Sequence, residues 1–153
     1  MTIQREPCVQ REALERLEAF VGEWREQVEV SGVPAGRMTF AWDLERRFLL
    51  QRSEIDDPAF PDSLCVIAVD ADGVGYTQHY FDARGVVRVY AMGFGNGTWT
   101  LVRDAPDFTP LSFSQRFIGT FTENARTIDG AWETSSDGAH WTHDFNVTYT
   151  KVA

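Results

Sequence analysis

The stretch Leu14-Glu15-Arg16-Leu17-Glu18-Ala19-Phe20-Val21-Gly22-Glu23-Trp24 decides the fold, because the spacing of apolar residues changes within it. From Glu12 to Val21 the apolar side chains recur at the spacing of one helix face, and the charged ones point away from that face. Gly22 is a typical stop signal for a helix. After Gly22 the apolar residues alternate with a period near two, which is typical of strands. We therefore predict one short N-terminal helix followed only by strands.

Turn signals divide the remaining chain into strands. Asp72-Gly73, Asn96-Gly97 and Asp137-Gly138 favour tight hairpins, because these residues tolerate positive φ. Turns that recur about every 8–12 residues without helices between them favour an antiparallel meander. An open meander would leave two exposed edges, and closure removes them. We predict an all-β fold, a closed antiparallel up-and-down barrel of about ten strands, rather than a sheet built of βαβ units. The predicted strands are 24–30, 38–44, 48–55, 64–69, 75–81, 86–92, 98–103, 111–121, 126–134 and 139–152.

Length and composition indicate one soluble domain. The chain has 153 residues, 43% of them hydrophobic and 24% charged, which is ordinary for a globular protein. We predict a flexible tail over residues 1–11 and a single barrel domain over residues 12–153. Five Trp and eleven Phe supply rings that suit either a filled core or the wall of an apolar pocket.

Charge and cysteine content exclude several classes of partner. The net charge is −9 and Lys151 is the only lysine, so no nucleic-acid partner is expected. The N-terminus lacks the apolar segment of a signal peptide, and no run approaches the ~18 apolar residues of a spanning helix. No membrane partner is therefore expected. Cys8 and Cys65 do not form a disulfide framework, which favours a cytoplasmic location.

The order of elements resembles the calycin superfamily of lipocalin-like barrels. The resemblance rests on the helix, Gly22-Glu23-Trp24, the meander and a last strand that carries Lys151. It implies that Trp24 closes the barrel floor and that Lys151 packs over it. The motifs Leu17-x-x-Phe20-Val21-Gly22-x-Trp24 and Ser136-Asp137-Gly138-x-x-Trp141 are similar to those of a family of bacterial lipocalin-like domains without an established substrate. That resemblance implies a ligand-binding barrel.

Haem-binding nitrobindins are a more distant resemblance. Their Gly-x-Trp is followed by two further spaced glycines, whereas Arg25, Glu26 and Gln27 follow Trp24 here. Their iron ligand is a histidine on a late strand, a place that His143 matches only roughly. We therefore expect no cofactor, with haem kept as an alternative.

No motif predicts a metal or nucleophile site. His140 and His143 are three residues apart on a predicted strand, so their side chains point to opposite faces. His79 has no second ligand nearby, and no cysteine cluster or nucleophile elbow occurs. The series Gly93-x-Gly95-x-Gly97 precedes a strand rather than a helix. It is interpreted as the bend of a hairpin and not as a dinucleotide site.

The candidate ligand contacts are polar or aromatic side chains that share strand faces with large apolar ones. One face of each barrel strand points inward, and an arginine there needs a partner. Polar groups among rings would suit a small molecule with an aromatic body and an acidic or carbonyl end. That the arginines face solvent instead stays open. The predicted lining residues are Trp42, Arg52, Gln78, Tyr80, Tyr90, Arg116, His143 and Phe145.

The functional hypothesis is non-enzymatic binding of one small apolar or aromatic molecule inside the barrel. A cyclase or isomerase is the first alternative, with His143 or Glu26 as acid–base and Arg52 as anion holder. The second is an assembly protein whose barrel is filled by its own side chains and whose exposed rings form a homodimer face.

Overall fold

The computed structural model describes residues 8–153 of the protein. Helix α1, Cys8–Arg16, continues into a turn of 3-10 helix, Leu17–Phe20. The predicted helix is confirmed, but it begins four residues early, within the predicted tail; the rest of that tail, residues 1–7, lies outside the described residues. None of the described helices is long and apolar enough to cross a membrane.

Ten antiparallel strands follow the helix, and each pairs with its neighbours in sequence. The last strand also pairs with the first, which closes the sheet. The predicted all-β, up-and-down barrel with a short N-terminal helix is confirmed. The strands are β1 Gly22–Val28, β2 Gly36–Asp43, β3 Phe48–Glu54, β4 Ser63–Val69, β5 Tyr76–Asp82, β6 Val87–Gly95, β7 Thr98–Arg103, β8 Ser114–Phe121, β9 Thr127–Ser135 and β10 Thr142–Lys151.

Three strand boundaries differ from the prediction by three residues, namely the end of β6 and the starts of β8 and β10, and the others differ by at most two. β6 continues through Gly93 to Gly95, and the left-handed residues Asn96 (φ 53°) and Gly97 (φ 72°) form the turn. The glycine series therefore belongs to a hairpin, as predicted. β8 starts at Ser114 rather than at residue 111, because the preceding loop is held by side-chain hydrogen bonds to Arg103.

The helical segment closes one end of the barrel. Ala13, Leu17 and Phe20 are fully buried, and the Tyr76 hydroxyl donates a 2.7 Å hydrogen bond to the Ala13 carbonyl. The Phe20 ring sits among four others at centroid distances of 4.7–5.2 Å. Those rings belong to Phe40, Phe94, Trp99 and Phe121.

Trp24 links the helical turn to the first and last strands. Its indole N–H donates to the Phe20 carbonyl at 2.8 Å. Lys151 lies opposite Trp24 in the β1–β10 register, and the Lys151 Nζ is 5.3 Å from the centroid of the indole ring. Trp24 is therefore part of the closed end, and any space for a ligand lies toward the other end.

Candidate functional site

A cavity of about 220 Å³ occupies the half of the barrel away from the helix. Every strand except β2 contributes a lining side chain, and the loop around Phe60 forms part of the rim. Drug-sized ligands occupy pockets of roughly 300–1,000 Å³. The space therefore suits a molecule with one or two rings.

Aromatic rings form a connected wall along the cavity. The Phe117 ring lies 4.8 Å from the Trp99 ring and 5.2 Å from the Trp132 ring, and Tyr90 contacts Trp132 at 6.0 Å. Tilted and edge-on ring pairs of this kind are favourable. On the far side Trp99 also contacts Tyr149, at 6.0 Å. The rings therefore support one another and leave the cavity with a stiff apolar surface.

Two glycines make room for this wall. Gly119 on β8 and Gly130 on β9 are register partners, and Phe117 lies across both. A Cβ at Gly130 would be 2.4 Å from the Phe117 ring, and one at Gly119 would be 2.9 Å from it. These glycines therefore place Phe117 against the inner wall.

Glu26 is a carboxyl group buried beside the cavity. It is 8% exposed and accepts a hydrogen bond from the Ser53 hydroxyl. Burial raises the pKa of Glu26 to about 7, although the hydrogen bond from Ser53 acts in the opposite direction. Among the described residues no basic side chain forms an ion pair with it. Burial also raises the pKa values of Tyr149 and Cys65, which face the same space and stay neutral.

Two glutamines place unsatisfied oxygens in the same region. Gln51 is 9% exposed and Gln78 is 4% exposed, and the Oε1 atom of each has no hydrogen-bond partner within the described structure. The Gln51 Nε2 donates to the Met38 sulfur at 3.2 Å. Because a thioether can only accept, this contact turns the Gln51 oxygen away from Met38. An unsatisfied buried polar group costs about 1–3 kcal/mol, so such groups call for a partner.

The rim of the cavity carries a polar network. The Gln115 Oε1 accepts hydrogen bonds from the Tyr90 hydroxyl at 2.9 Å and from Arg88 at 3.3 Å. The Nε of Arg88 is buried without a partner. Arg88 is thus held in place, with one of its donors unsatisfied.

Asp82 organises a second part of the rim. It accepts a 2.8 Å hydrogen bond from the Tyr80 hydroxyl and forms an ion pair with Arg84 at 2.7 Å. Burial opposes ionisation of Asp82, but the hydrogen bonds from Arg84 and Tyr80 outweigh it and lower the pKa of Asp82 to about 2. Burial and the bond to Asp82 raise the pKa of Tyr80. Tyr80 therefore faces the cavity as a neutral phenol.

A buried ion pair ties down the loop over residues 104–113. Arg103 and Asp107 make two N–O contacts of 2.9 Å, and their side chains are 3% and 9% exposed. Asp107 also accepts the backbone N–H groups of Val89 and Thr109. The hydrogen bond from Arg103 holds the pKa of Asp107 far below its usual range. This loop is therefore held in place at the open end of the barrel.

Four predicted residues, Gln78, Tyr80, Tyr90 and Phe145, line the cavity. Trp42 does not. It lies near the helix end of β2, where its indole N–H donates to Glu18 at 2.8 Å and Arg46 stacks 4.9 Å from its ring. Its predicted place in the lining is wrong, because Trp42 packs at the closed end.

The predictions that Arg52, Arg116 and His143 line the interior are also wrong. Arg52 is exposed, since its neighbours on β3 point inward. Arg116 binds Glu133 at 2.9 Å and stacks 4.3 Å from the ring of Trp141 on the outer face. The arginines of the predicted site therefore face outward. The assignment of Arg52 as an anion holder inside the barrel is wrong for the same reason.

His143 is exposed because β10 contains a register shift between His143 and Phe145. His143 pairs with Glu133 and Phe145 with Trp132. The two residues are two positions apart and would share a face of a regular strand, but the shift places them on different faces. The assignment of His143 as an internal acid–base therefore fails. The same placement removes His143 as an iron ligand, and the cavity lining formed by the described residues contains no histidine. The residues present do not fit haem.

Sequence reasoning missed several lining residues, among them Gln51, Ser53, Trp99, Gln115 and Phe117. The predicted strand over residues 48–55 carries apolar side chains on both faces, which concealed its inward face. Among residues 8–153 no three potential metal-ligating side chains lie together. His140 instead contacts Asp137 at 2.6 Å in an exposed turn.

The chain was compared with protein-family models and with curated proteins, and neither comparison gives a match. The geometry of the barrel and its cavity therefore carries the functional argument.

Proposed function

We propose that the protein binds one small, largely apolar or aromatic molecule inside its barrel. The observation that carries the proposal is a cavity walled by aromatic rings and lined by residues whose buried polar atoms lack partners. A core filled for stability alone satisfies such groups, because each unsatisfied one is costly. A bound molecule that covers the rings and meets the polar atoms accounts for both features.

The magnitudes show what each part of the cavity contributes. A ring system that buries about 150 Å² of apolar surface gains roughly 4 kcal/mol at ~25 cal/mol per Å². That corresponds to a dissociation constant near 1 mM. Hydrogen bonds to neutral groups add about 0.5–1.5 kcal/mol each, and those to charged groups about 1.5–3 kcal/mol. Apolar contact therefore gives weak and general binding, and the polar groups decide affinity and selectivity.

Calorimetric titration with indole tests the proposal. Indole should bind the wild-type protein, and Ala59→Trp should weaken binding at least tenfold, because Ala59 lies exposed on the cavity rim. Ala71→Trp is the matched control, since Ala71 is exposed in the turn between β4 and β5, at the helix end. Equal binding by the two variants, or no binding by the wild type, would contradict the proposal.

A second candidate, proton transfer of the isomerase type, is favoured by Glu26 alone. A buried carboxyl with a pKa of about 7 is suited to acid–base work near neutral pH. The α-protons of phenylacetone provide a probe, and their exchange with deuterated water is measured by NMR. Exchange accelerated by the wild type but not by Glu26→Gln would support this function. Equal exchange with both proteins would leave Glu26 a binding role only.

The assembly alternative requires a filled interior, and the cavity counts against it. Exposed rings are nevertheless present: Phe108 is 75% exposed in the loop over residues 104–113, and Phe81 and Phe113 are partly exposed. A homodimer through these rings stays a prediction, which sedimentation analysis would test.

A further inference from the structure

We infer that the bound molecule is an arylalkylamine whose protonated nitrogen lies against Glu26, Gln51 and Gln78. This inference rests on the proposed function and names the chemical class of its ligand. Its basis is the set of buried acceptors without partners on residues that line the cavity with Glu26; the unsatisfied donors are Arg88 Nε at the rim and Trp99 Nε1 in the ring wall.

Glu26 has no basic partner among the described residues. A carboxyl group that is nine-tenths buried normally has a basic side chain beside it, because an isolated charge in a dry interior is strongly unfavourable. Here the Ser53 hydroxyl is its only hydrogen-bond partner among the described residues. A cationic ligand would supply the absent positive charge.

Two unsatisfied acceptors line the same cavity as that carboxyl. The Oε1 atoms of Gln51 and Gln78 are both unsatisfied. Gln51 lies beside Cys65 and Gln78 beside Ile67, so the two amides flank the same strand, β4. Together with Glu26 they offer three acceptors, and an ammonium group has three N–H donors.

Aromatic rings line the same cavity as these acceptors. Trp99, Phe117 and Tyr149 are in mutual ring contact and line the cavity together with Glu26. The faces of such rings attract a cation, with the strongest effect where water is excluded. The same rings accommodate the aromatic body of the ligand, so one wall serves both parts of the molecule.

The other titratable groups near the cavity do not compete for this role. Tyr149 on β10, Cys65 on β4, Tyr80 on β5 and Tyr90 on β6 all have pKa values raised by burial and are neutral. The other charged groups lie at the open end of the barrel, where Asp82 pairs with Arg84, Asp107 with Arg103, and Arg88 bonds to Gln115. Glu26 is thus the acidic group left for a ligand cation.

The test compares 2-phenylethylamine with 2-phenylethanol, which has the same ring and chain but no charge. Calorimetry at pH 8 should show that the amine binds the wild type at least tenfold more tightly than the alcohol. Glu26→Gln should remove this preference, so that the amine binds no more tightly than the alcohol. Glu54→Gln is the control, because it makes the same charge change at an exposed position on β3.

A pH series gives a second readout. Because the amine requires ionised Glu26, its affinity should fall about tenfold from pH 8 to pH 6 in the wild type, given a pKa of about 7. The affinity of the alcohol should not follow this change, and neither should that of the amine for Glu26→Gln. Alcohol binding equal to that of the amine would overturn the inference and leave the proposed function standing. If neither probe binds the wild type but indole does, the inference alone is overturned; if indole also fails to bind, the proposed function is overturned with it.

Discussion

The Ser53 hydroxyl donates a hydrogen bond to the Glu26 carboxylate across an intervening strand. Glu26 lies on β1 opposite Gly36, and Ser53 lies on β3 opposite Met38, so the bond passes β2 near its first residue. Gly36 has no side chain that could separate the two groups. This bond is what holds the buried carboxyl at the edge of the cavity.

Protonation of Glu26 should make stability depend on pH. The pKa of Glu26 is about 7 in the folded protein and 4.5 ordinarily, so the folded state binds this proton more tightly than the unfolded chain. The stabilisation is complete below about pH 4.5 and is lost as the pH rises through 7, a change of about 3 kcal/mol. Urea denaturation at pH 5 and pH 8 should show most of this loss in the wild type and none of it in Glu26→Gln. The same pH dependence in both proteins would refute this account of Glu26.

Removal of the Ser53 hydroxyl should raise the pKa of Glu26 further. The bond lowers that pKa because it favours the ionised form. A carbon-13 NMR titration of the Glu26 carboxyl in Ser53→Ala should therefore give a midpoint above that of the wild type. Ser63→Ala is the control, since Ser63 also lines the cavity but makes no hydrogen bond to Glu26 in the structure. An unchanged midpoint in Ser53→Ala would mean that the Ser53 hydroxyl does not stabilise the ionised form of Glu26.

Gly130→Ala should destabilise the barrel by about 1–3 kcal/mol, the usual cost of overpacking a core. The new Cβ would meet the Phe117 ring at 2.4 Å. Gly95→Ala is the matched control, because open space surrounds that position. Thermal unfolding compares the two variants, and equal melting temperatures would show that Phe117 does not lie across the glycine pair.

Asp107→Asn should destabilise the protein by about 3–5 kcal/mol, because it leaves the Arg103 guanidinium buried without its counter-charge. Glu133→Gln breaks the partly exposed pair with Arg116 and should cost less than about 1 kcal/mol. Chemical denaturation measures both. If the two substitutions had the same small effect, the 104–113 loop would not depend on the buried pair.

The fold could be predicted from local patterns, and the site could not. Hairpin signals such as Asn96-Gly97 act over a few residues and mark where strands end. Which face of a strand points inward depends on distant partners, as at Arg52, where both faces carry apolar side chains. A register shift such as the one between His143 and Phe145 has no signal in the sequence. Gln51 and Gln78 acquire significance only because the closed barrel places them around one cavity.

A crystal soaked with 5-bromoindole tests the central claim most directly, because the bromine locates the ring by anomalous scattering. We expect one peak inside the barrel, within the space bounded by Glu26, Trp99 and Trp132. A barrel interior closed by its own side chains, with no peak in it, would contradict the account.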